Sequence, residues 1–367
     1  MQKSGSRWVL TLAAVLAAAC TAGQGGNGAS GSPTPTPSPT ATMTATPTAT
    51  ATATPTPNPA LHVVVSTFNV GAGSSPIGPN NGYDSTLASA EAQYYGHGLA
   101  WPPAIEATRQ FFADVAPDIV NLEEIFYAPD CAGIPSSAWP GLYCETWTAG
   151  DPTVIQVVMG AGYQIACNLG HSDNCMAVKK SFGSIRGCSS DFCLEGLAGS
   201  HIDTCGNGAR VGRGVIDMVE GGSLTAVEIH ATSGEQSADM ACRTKQVEQI
   251  FVDLGMGDAS PAANGAANVV MGDFNTDPGR LTGFDPSAAR IDDFVGDGKP
   301  FHFVTDVGPN ATPTYSHLVN IDLVISDALA GTCWAAGVTD GHPAVTSTVY
   351  FDHNAIVCTL DGMRPAN

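Results

Sequence analysis

The fold is constrained most by six short, β-rich apolar segments, each of which carries a polar residue at its edge. These segments are residues 66–69, 118–124, 227–230, 269–275, 320–325 and 351–355. A single Gly-Asp-x-Asn sequence, as at Gly272 to Asn275, is ordinary turn chemistry, because Asp and Asn hydrogen-bond their own backbone. Six such polar edges in one chain instead indicate an α/β sheet that presents a functional site at its strand ends.

The pattern along the chain predicts one α/β domain in which strands are spread between helices. Predicted strands cover residues 61–69, 118–124, 163–168, 175–180, 210–220 and 223–230, with three more around Val270, Leu323 and Ile356. Predicted helices cover residues 102–115, 152–161 and 238–254. Pro102 and Pro103 open the first helix, and Pro117 closes it. Residues 70–99 and 125–150 are predicted loops, and 181–209 an irregular insertion braced by disulfides.

The first twenty residues are typical of a bacterial lipoprotein signal peptide. Lys3 and Arg7 precede a short apolar run, and three alanines lead to Cys20. The pattern predicts cleavage before Cys20 and lipid attachment to it. An ordinary secretory signal with an incidental cysteine is the alternative, and either signal exports the protein. Residues 21–60, rich in Thr, Pro and Ala, predict a disordered linker, and 61–367 remain to form the folded domain.

The charge of the folded domain is strongly negative. Two of the 14 basic residues lie in the signal, so 12 remain against 34 acidic ones, a balance of −22. Such a surface repels polyanions on average, because nonspecific binding of nucleic acid needs several basic contacts. A bound divalent cation reverses the field locally, so the charge argues against extended binding more than against phosphodiester chemistry.

The cysteines predict a disulfide framework. Cys20 is assigned to lipid, which leaves ten of the eleven cysteines in an exported, oxidising setting. Proximity in sequence suggests the pairs Cys131 with Cys144, Cys167 with Cys175, Cys188 with Cys193, Cys205 with Cys242, and Cys333 with Cys358. A zinc site is disfavoured, since Cys188 and Cys193 lack a second matching pair.

The order of the motifs resembles the endonuclease/exonuclease/phosphatase superfamily, the metal-dependent phosphoesterases similar to deoxyribonuclease I. The resemblance covers residues 61–367 and runs through T-x-N, D-I-V-x-L-x-E, a histidine, G-D-F-N, I-D and D-H. The G-D-F-N and D-H elements are the specific ones. The resemblance implies a four-layer α/β sandwich, with two mixed β-sheets packed face to face and helices outside. Its site lies at one end of the sheets.

The resemblance also implies a metal site. Glu124 matches the family's metal-binding glutamate, with Asn69 and Asp352 beside the ion. Carboxylate oxygens suit Mg²⁺, with Mn²⁺ or Ca²⁺ as alternatives. Glu123 stands where the family often has Gln, and strand alternation sends its side chain to the face opposite that of Glu124.

The catalytic residues implied by the resemblance are His230, Asp273, Asn275, Asp322 and His353. Asp322 would orient His353 and raise its basicity, while His230 and Asn275 would donate to phosphate or leaving-group oxygens. Whether Asp273 or His353 is the general base stays open.

Two further features of the sequence carry weaker expectations. Arg210 and Arg213 lie before the His230 segment and could contact substrate phosphate. The aromatic residues Trp139, Tyr143 and Trp147 could form a lipid- or base-stacking loop, or simply pack a loop that lacks other core. The histidines outside the motifs, including His97 and His171, receive no role.

Together these observations predict an exported, lipid-anchored, Mg²⁺-dependent phosphoesterase, most of all a nuclease-type phosphodiesterase. A sphingomyelinase-like phospholipase C and a small inositol-phosphate or nucleotide phosphatase are the enzyme alternatives. An inactive binding module on the same scaffold is the non-enzyme alternative. The predicted partners are a phosphodiester, either nucleic acid or phospholipid headgroup, and a membrane reached through lipid on Cys20; no protein partner is predicted.

Overall fold

The computed structural model describes residues 60–73 and 82–365. The predicted signal peptide, the lipid on Cys20 and nearly all of the predicted linker lie outside these ranges. Within them, no helix is long and apolar enough to cross a membrane.

The described chain forms two β-sheets and five α-helices. The helices are α1 Ser85–Tyr94, α2 Pro102–Val115, α3 Val154–Met159, α4 Ser237–Phe251 and α5 Pro286–Ile291. The strands are β1 Ala60–Asn69, β2 Ile119–Glu123, β3 Tyr163–Asn168, β4 His171–Lys179, β5 Gly183–Ile185, β6 Phe192–Cys193, β7 Val211–Met218, β8 Ser223–His230, β9 Asn268–Asp273, β10 His302–Phe303, β11 Asp322–Ser326, β12 Ala330–Ala335 and β13 Ile356–Met363.

The two sheets are mixed and differ in size. The first has seven strands in the order β12-β13-β1-β2-β4-β3-β6, and the second has six in the order β10-β11-β9-β8-β7-β5. β1 is parallel to β2 and β8 to β9, whereas β13 and β11 run antiparallel to β1 and β9. The carboxyl ends of these parallel strands therefore meet the starts of their antiparallel neighbours at one edge.

Three apolar clusters show that the sheets pack face to face with helices outside. Val65 and Met176 of the first sheet share a buried cluster with Met271 of the second. On the outer faces, Phe112 of α2 packs with the first sheet, and Ile250 of α4 packs with the second. Strand side chains alternate between faces, so each sheet contributes to two of these clusters. The predicted four-layer α/β sandwich is therefore confirmed.

Helix α1 corrects the prediction of a loop up to residue 99. Asp84 caps it by accepting hydrogen bonds from the backbone N–H groups of Thr86 and Leu87. The helix buries only Ala88 and Glu91, and its two large apolar residues, Leu87 and Tyr94, are too few to reveal helical periodicity. Helix α5 and the strands β5, β6, β10 and β12 were likewise not predicted.

All five predicted disulfides are present with the predicted partners. Cys167–Cys175 joins directly opposed positions of β3 and β4, and Cys333–Cys358 does the same for β12 and β13. The aromatic residues Trp139, Tyr143 and Trp147 pack against the outer cluster of the first sheet. The structure therefore favours the packing interpretation of that loop.

Candidate active site

The polar strand ends meet at the shared edge of the two sheets. Asn69 ends β1, His230 ends β8 and Asp273 ends β9, while Asp322 begins β11 directly opposite Asp273. His353 lies three residues before the start of β13, and the antiparallel pairing of β13 with β1 brings it to the same edge. Parallel strands that end together, joined by antiparallel strands that start there, bring six distant segments to one place.

These side chains surround a pocket of about 360 Å³. Its lining comprises Ala72, Gly96, His97, Glu124, His171, Asp173, Arg210, His230, Ser233, Asp273, Asn275, Tyr315, Asp352 and His353. Seven of the predicted site residues are among them. Asn69 and Asp322 are buried behind this lining and contact it through hydrogen bonds. Of the predicted set, Arg213 is the one that the structure does not bring here.

Asp273 lies at the centre of the pocket and is almost fully buried. Its Oδ2 accepts hydrogen bonds from the amides of Asn69 (3.2 Å) and Asn275 (3.0 Å) and lies 3.8 Å from Nε2 of both His230 and His353. Burial raises the pKa of Asp273 to about 7, against the opposing charge of His353. This carboxyl can therefore exchange a proton near neutral pH.

His353 is held by Asp322. Its Nδ1 lies 2.9 Å and 3.1 Å from the two carboxylate oxygens of Asp322, which leaves Nε2 facing the pocket. Burial alone would lower the pKa of His353, but the charges of Asp322 and Asp273 outweigh it and raise the pKa to about 10. The ring of Tyr315 lies 4.7 Å from that of His353 and covers it.

His230 has a different environment. Its Nδ1 lies 3.2 Å from the amide oxygen of Asn174, and its Nε2 lies 3.5 Å from Glu124 Oε1. Burial and then the positive charge of Arg210 lower the pKa of His230 to about 3. The ring is therefore neutral across the physiological range.

Glu124 offers the clearest oxygen donor for a divalent cation. Asn69 donates to its Oε1 (3.1 Å), and its Oε2 lies so close to Gly71 that a Cβ there would sit 2.0 Å away. A larger residue at position 71 would therefore require this carboxylate to move. Burial raises the pKa of Glu124 to about 7 and also raises that of Asp352. Concentrated carboxylates with raised pKa values are the surroundings that a hard cation neutralises.

The donor set therefore fits Mg²⁺. Glu124 and Asp352 supply carboxylate oxygens to the pocket, and Asn69 positions the first of them. Among the described residues, the group whose possible ligand atoms cluster most tightly is Asp273, Asp322 and His353. Both oxygens of Asp322 already face His353 Nδ1, so this group is better described as a carboxylate–histidine pair beside Asp273.

Neighbouring Glu123 has a separate, interior position. It is fully buried, and its Oε1 accepts a hydrogen bond from Thr67 (3.2 Å). Burial and the charge of Glu228 raise its pKa well above the ordinary range. The backbone of Glu124 has a φ of 56°, in the left-handed region, where the chain leaves β2. β2 ends at Glu123, so the left-handed backbone of Glu124, and not the strand alternation that the sequence suggested, accompanies the separation of the two side chains.

Gly272 is required by a close approach just before Asp273. Its φ is 150°, and a Cβ would lie 1.9 Å from the carbonyl oxygen of Ile229. The glycine of the Gly-Asp-Phe-Asn motif thus lets β8 and β9 draw together where His230 and Asp273 end them. Asn275 follows with a φ of 50°, and its N–H donates to Asp273 Oδ1 (2.7 Å).

The two predicted arginines separate. Arg210 lines the pocket, where it donates to the His230 carbonyl (3.3 Å), and burial lowers its pKa. Arg213 is two residues beyond Val211, so it lies on the outer face of the second sheet, where it contacts the Pro261 carbonyl. Arg213 therefore does not line the pocket, and its contact with substrate stays a prediction that the structure does not support.

Several pocket residues were missed. His97 and His171 line the pocket although no role was predicted for them. His171 and Asp173 form a hydrogen-bonded pair at the start of β4, and Asn174 contacts His230. The run His171 to Asn174 is a polar strand edge of the same kind as the six motifs, so this signal was present. Tyr315 comes from a loop with no comparable signal.

Comparisons with known proteins give fold similarity at low identity. No protein-family model and no curated protein matches the sequence. Similar solved structures include a humanised D. rerio TDP2 (14% identity, TM-score 0.46, 82% of this chain and 98% of that one). Others are the 2′,3′-cyclic phosphatase ANGEL2 (11%, 0.46, 84% and 99%) and an endonuclease/exonuclease/phosphatase from Beutenbergia cavernae (15%, 0.47, 83% and 72%). Function therefore has to be inferred from the pocket itself.

Proposed function

We propose that the protein is an exported, Mg²⁺-dependent phosphodiesterase. One observation carries this proposal: a single pocket holds a carboxylate-oriented histidine, a second and neutral histidine, and the central carboxyl of Asp273, all beside the oxygen donors of Glu124 and Asp352. Phosphodiester hydrolysis needs these groups together, because the phosphate charge must be neutralised, the attacking water must lose a proton and the leaving oxygen must gain one. An inactive binding module would have no need of all of them.

In the proposed reaction, water oxygen forms a bond to phosphorus while the bond to the leaving oxygen breaks. A bound Mg²⁺ would neutralise phosphate charge and polarise that bond. Asp273 takes the proton of the attacking water while the charged His353 gives its Nε2 proton to the leaving oxygen. In the alternative, a neutral His353 takes the proton at Nε2 and a protonated Asp273 gives one to the leaving oxygen. Asp322 holds the proton at His353 Nδ1, so that only Nε2 faces substrate.

Arg210 would donate to the phosphate oxygens, whereas the neutral His230 donates through Nδ1 to the amide oxygen of Asn174 and has only an acceptor at Nε2. The neutral His230 has an Nε2 that faces Glu124 and Asp273, and Arg210 presents a guanidinium beside it. Since Arg210 is the one arginine or lysine among the residues that line the described pocket, the site suits one phosphate better than a long polyanion.

The sequence favours a nuclease-type enzyme, whereas the single arginine or lysine among the residues lining the described pocket favours a small or zwitterionic diester, and a substrate panel distinguishes the two. Plasmid DNA, RNA, sphingomyelin vesicles, bis-p-nitrophenyl phosphate and small phosphomonoesters would be incubated with Mg²⁺ and with chelator. We expect diester hydrolysis that chelator abolishes and Mg²⁺ restores. Activity that survives complete chelation contradicts the metal assignment, and turnover of monoesters alone contradicts the diesterase.

Salt dependence distinguishes the two diesterase candidates. Polynucleotide cleavage should fall steeply as ionic strength rises, because counterions compete for the phosphates. Hydrolysis of a zwitterionic headgroup should change little, which would favour the phospholipase C alternative. The acidic balance of the domain is the observation that keeps this second candidate open.

Membrane anchoring through Cys20 is proposed separately. The full chain expressed in a bacterial host should partition into the detergent phase of a Triton X-114 extract, and the Cys20→Ser variant should move to the aqueous phase. A wild-type protein that is aqueous from the start would indicate an ordinary secretory signal.

A further inference from the structure

A second cavity opens beside the candidate active site. Its volume is about 420 Å³, and it lies between the end of α1, the turn after β2, the β3–β4 turn and the approach to β7. Gly96, His171, Asp173 and Arg210 line both this cavity and the catalytic pocket. We call this second cavity the side cleft. A substrate whose phosphate occupies the pocket can therefore extend an ester group into the side cleft.

The side cleft has aromatic walls. Tyr94 is 38% exposed and Tyr127 is half-buried, while Tyr95 and Phe126 form a buried base. The base is held in place, since the rings of Tyr95 and Phe126 lie 4.8 Å apart and Tyr95 donates a hydrogen bond to the carbonyl of Ala138. The ring of Tyr127 stacks on Phe192. Rings supported in this way offer flat, rigid faces to a ligand.

The charges of the side cleft are arranged asymmetrically. Arg210 lies where the cleft joins the catalytic pocket, and the carboxylates of Asp130 and Asp173 line the cleft. Burial, and then the charge of Asp173, raises the pKa of Asp130, so the two acids repel each other. His171 offsets part of the charge of Asp173 through the hydrogen bond between them.

The side cleft therefore disfavours a second anionic group. Apart from Arg210, no lysine or arginine lines this described cavity. A second phosphate placed there would meet two carboxylates and no further cation, whereas a positive group would relieve the repulsion between Asp130 and Asp173.

This pattern is complementary to a zwitterion, with phosphate at Arg210 and a positive group some atoms away. Cations bind over the faces of aromatic rings, and quaternary ammonium groups are recognised by such rings. On the basis of the proposed function, we infer that the side cleft binds a quaternary ammonium group carried by the uncleaved ester of the substrate. Tyr94, Tyr127, Asp130 and Asp173 would form this subsite.

Two substrates of the same shape test the charge directly. p-Nitrophenyl phosphocholine and p-nitrophenyl 3,3-dimethylbutyl phosphate differ only in a positive nitrogen against a neutral carbon. With Mg²⁺, we expect kcat/KM to favour the choline ester by roughly tenfold or more. Equal values for the two esters would overturn the subsite. If bis-p-nitrophenyl phosphate were still hydrolysed, the proposed phosphodiesterase would stand; hydrolysis of none of the three would remove that function as well.

Substitutions in the side cleft test whether the preference for the choline ester arises there. In Asp130→Asn and in Tyr94→Leu, the choline preference should fall severalfold, and because it is a ratio within one protein it is insensitive to the folded fraction. Asp114→Asn removes the same charge from the exposed face of α2 and should leave the ratio unchanged. A preference that survives both cleft substitutions would overturn the assignment to this cavity.

Other substrates test which group the side cleft binds and which kind of molecule carries it. Faster turnover of thymidine 5′-p-nitrophenyl phosphate than of the choline ester would overturn the inference in favour of a nucleobase. Glycerophosphocholine and sphingomyelin vesicles both carry the predicted group, and hydrolysis of one or the other would show whether a free diester or a lipid headgroup supplies it.

Discussion

Two histidines in the candidate active site are equally buried and equally distant from Asp273, yet their electrostatics are opposite. His230 and His353 are each 7% exposed, and each has Nε2 at 3.8 Å from Asp273 Oδ2. The pKa is lowered to about 3 at His230 and raised to about 10 at His353. Burial acts in the same direction on both, so it does not explain the difference.

The group that contacts Nδ1 explains the difference in pKa between the two histidines. His353 faces the carboxylate of Asp322, whose charge stabilises the imidazolium, whereas His230 faces the neutral amide of Asn174 and lies near the positive Arg210. Two similar rings are thereby prepared for different protonation states in one pocket. The second contact of each buried histidine, more than its burial, therefore sets its protonation state.

The largest expected effect comes from removing the charge that makes His353 different. Asp322→Asn should lower kcat on bis-p-nitrophenyl phosphate by on the order of a thousandfold, because an amide neither fixes the reactive tautomer nor stabilises the charged ring. Asn174→Ala, on the other histidine, should lower kcat by about tenfold or less, because it removes only a neutral contact. Steady-state kinetics with saturating Mg²⁺ measures both.

Thermal unfolding supplies the control, since both residues are buried and either variant could lose folded protein. The kinetic comparison uses variants whose unfolding is cooperative at temperatures above that of the assay. An equal loss of kcat in the Asp322 and Asn174 variants would show that the two histidines have equivalent roles and would contradict the proposed difference between them.

A smaller effect concerns where the metal binds. If Glu124 is a ligand, Glu124→Gln should weaken Mn²⁺ or Mg²⁺ binding by on the order of a hundredfold, because a neutral amide replaces a charged oxygen donor. His353→Asn should bind the metal nearly as tightly as wild type. Isothermal titration calorimetry measures both affinities, and loss of binding in the His353 variant alone would place the ion at the Asp273, Asp322 and His353 group instead.

Most of the pocket could be predicted from the sequence because its residues end apolar strands. Asp273, Asn275 and His353 lie in short motifs whose polar residues interrupt buried segments, and the strand order then brings the segments together. Disulfide pairing also followed from proximity, since the paired cysteines lie close along the chain, many of them on adjoining elements.

The rest depended on information that sequence position does not carry. The sequence did not fix the phase of β7, and one residue of phase exchanges the two faces of a strand, so it did not show that Arg213 lies on the outer face of the second sheet. His97 reaches the pocket through the turn after α1, a helix whose small residues gave no periodic signal. The opposite states of His230 and His353 depend on Asn174 and Asp322, contacts made only on folding.

The smallest predicted effect is on the pH dependence of the free energy of unfolding, to which His230 and His353 should contribute with opposite signs. For His230, the pKa falls from 6.5 in the unfolded chain to about 3 on folding, so the unfolded state binds more protons between these values. Its contribution to stability is present above pH 6.5 and is lost as pH falls toward 3. For His353, the pKa rises from 6.5 to about 10, so its contribution is present below pH 6.5 and is lost as pH rises toward 10.

Urea unfolding of the chelated protein measures these opposite slopes. His230→Asn should gain stability relative to wild type on acidification from about pH 7 to about pH 4, by about 3 kcal/mol, because the variant has no buried imidazole to protonate. His353→Asn should show its full deficit at and below about pH 6, and that deficit should shrink as pH approaches 10. The other titrating groups are common to variant and wild type and largely cancel in the difference. If the stability difference from wild type changed with pH in the same direction for both variants, Asp322 and Asn174 would not set the charge of the rings they contact. Only a difference between these two partners makes the two pH dependences run in opposite directions.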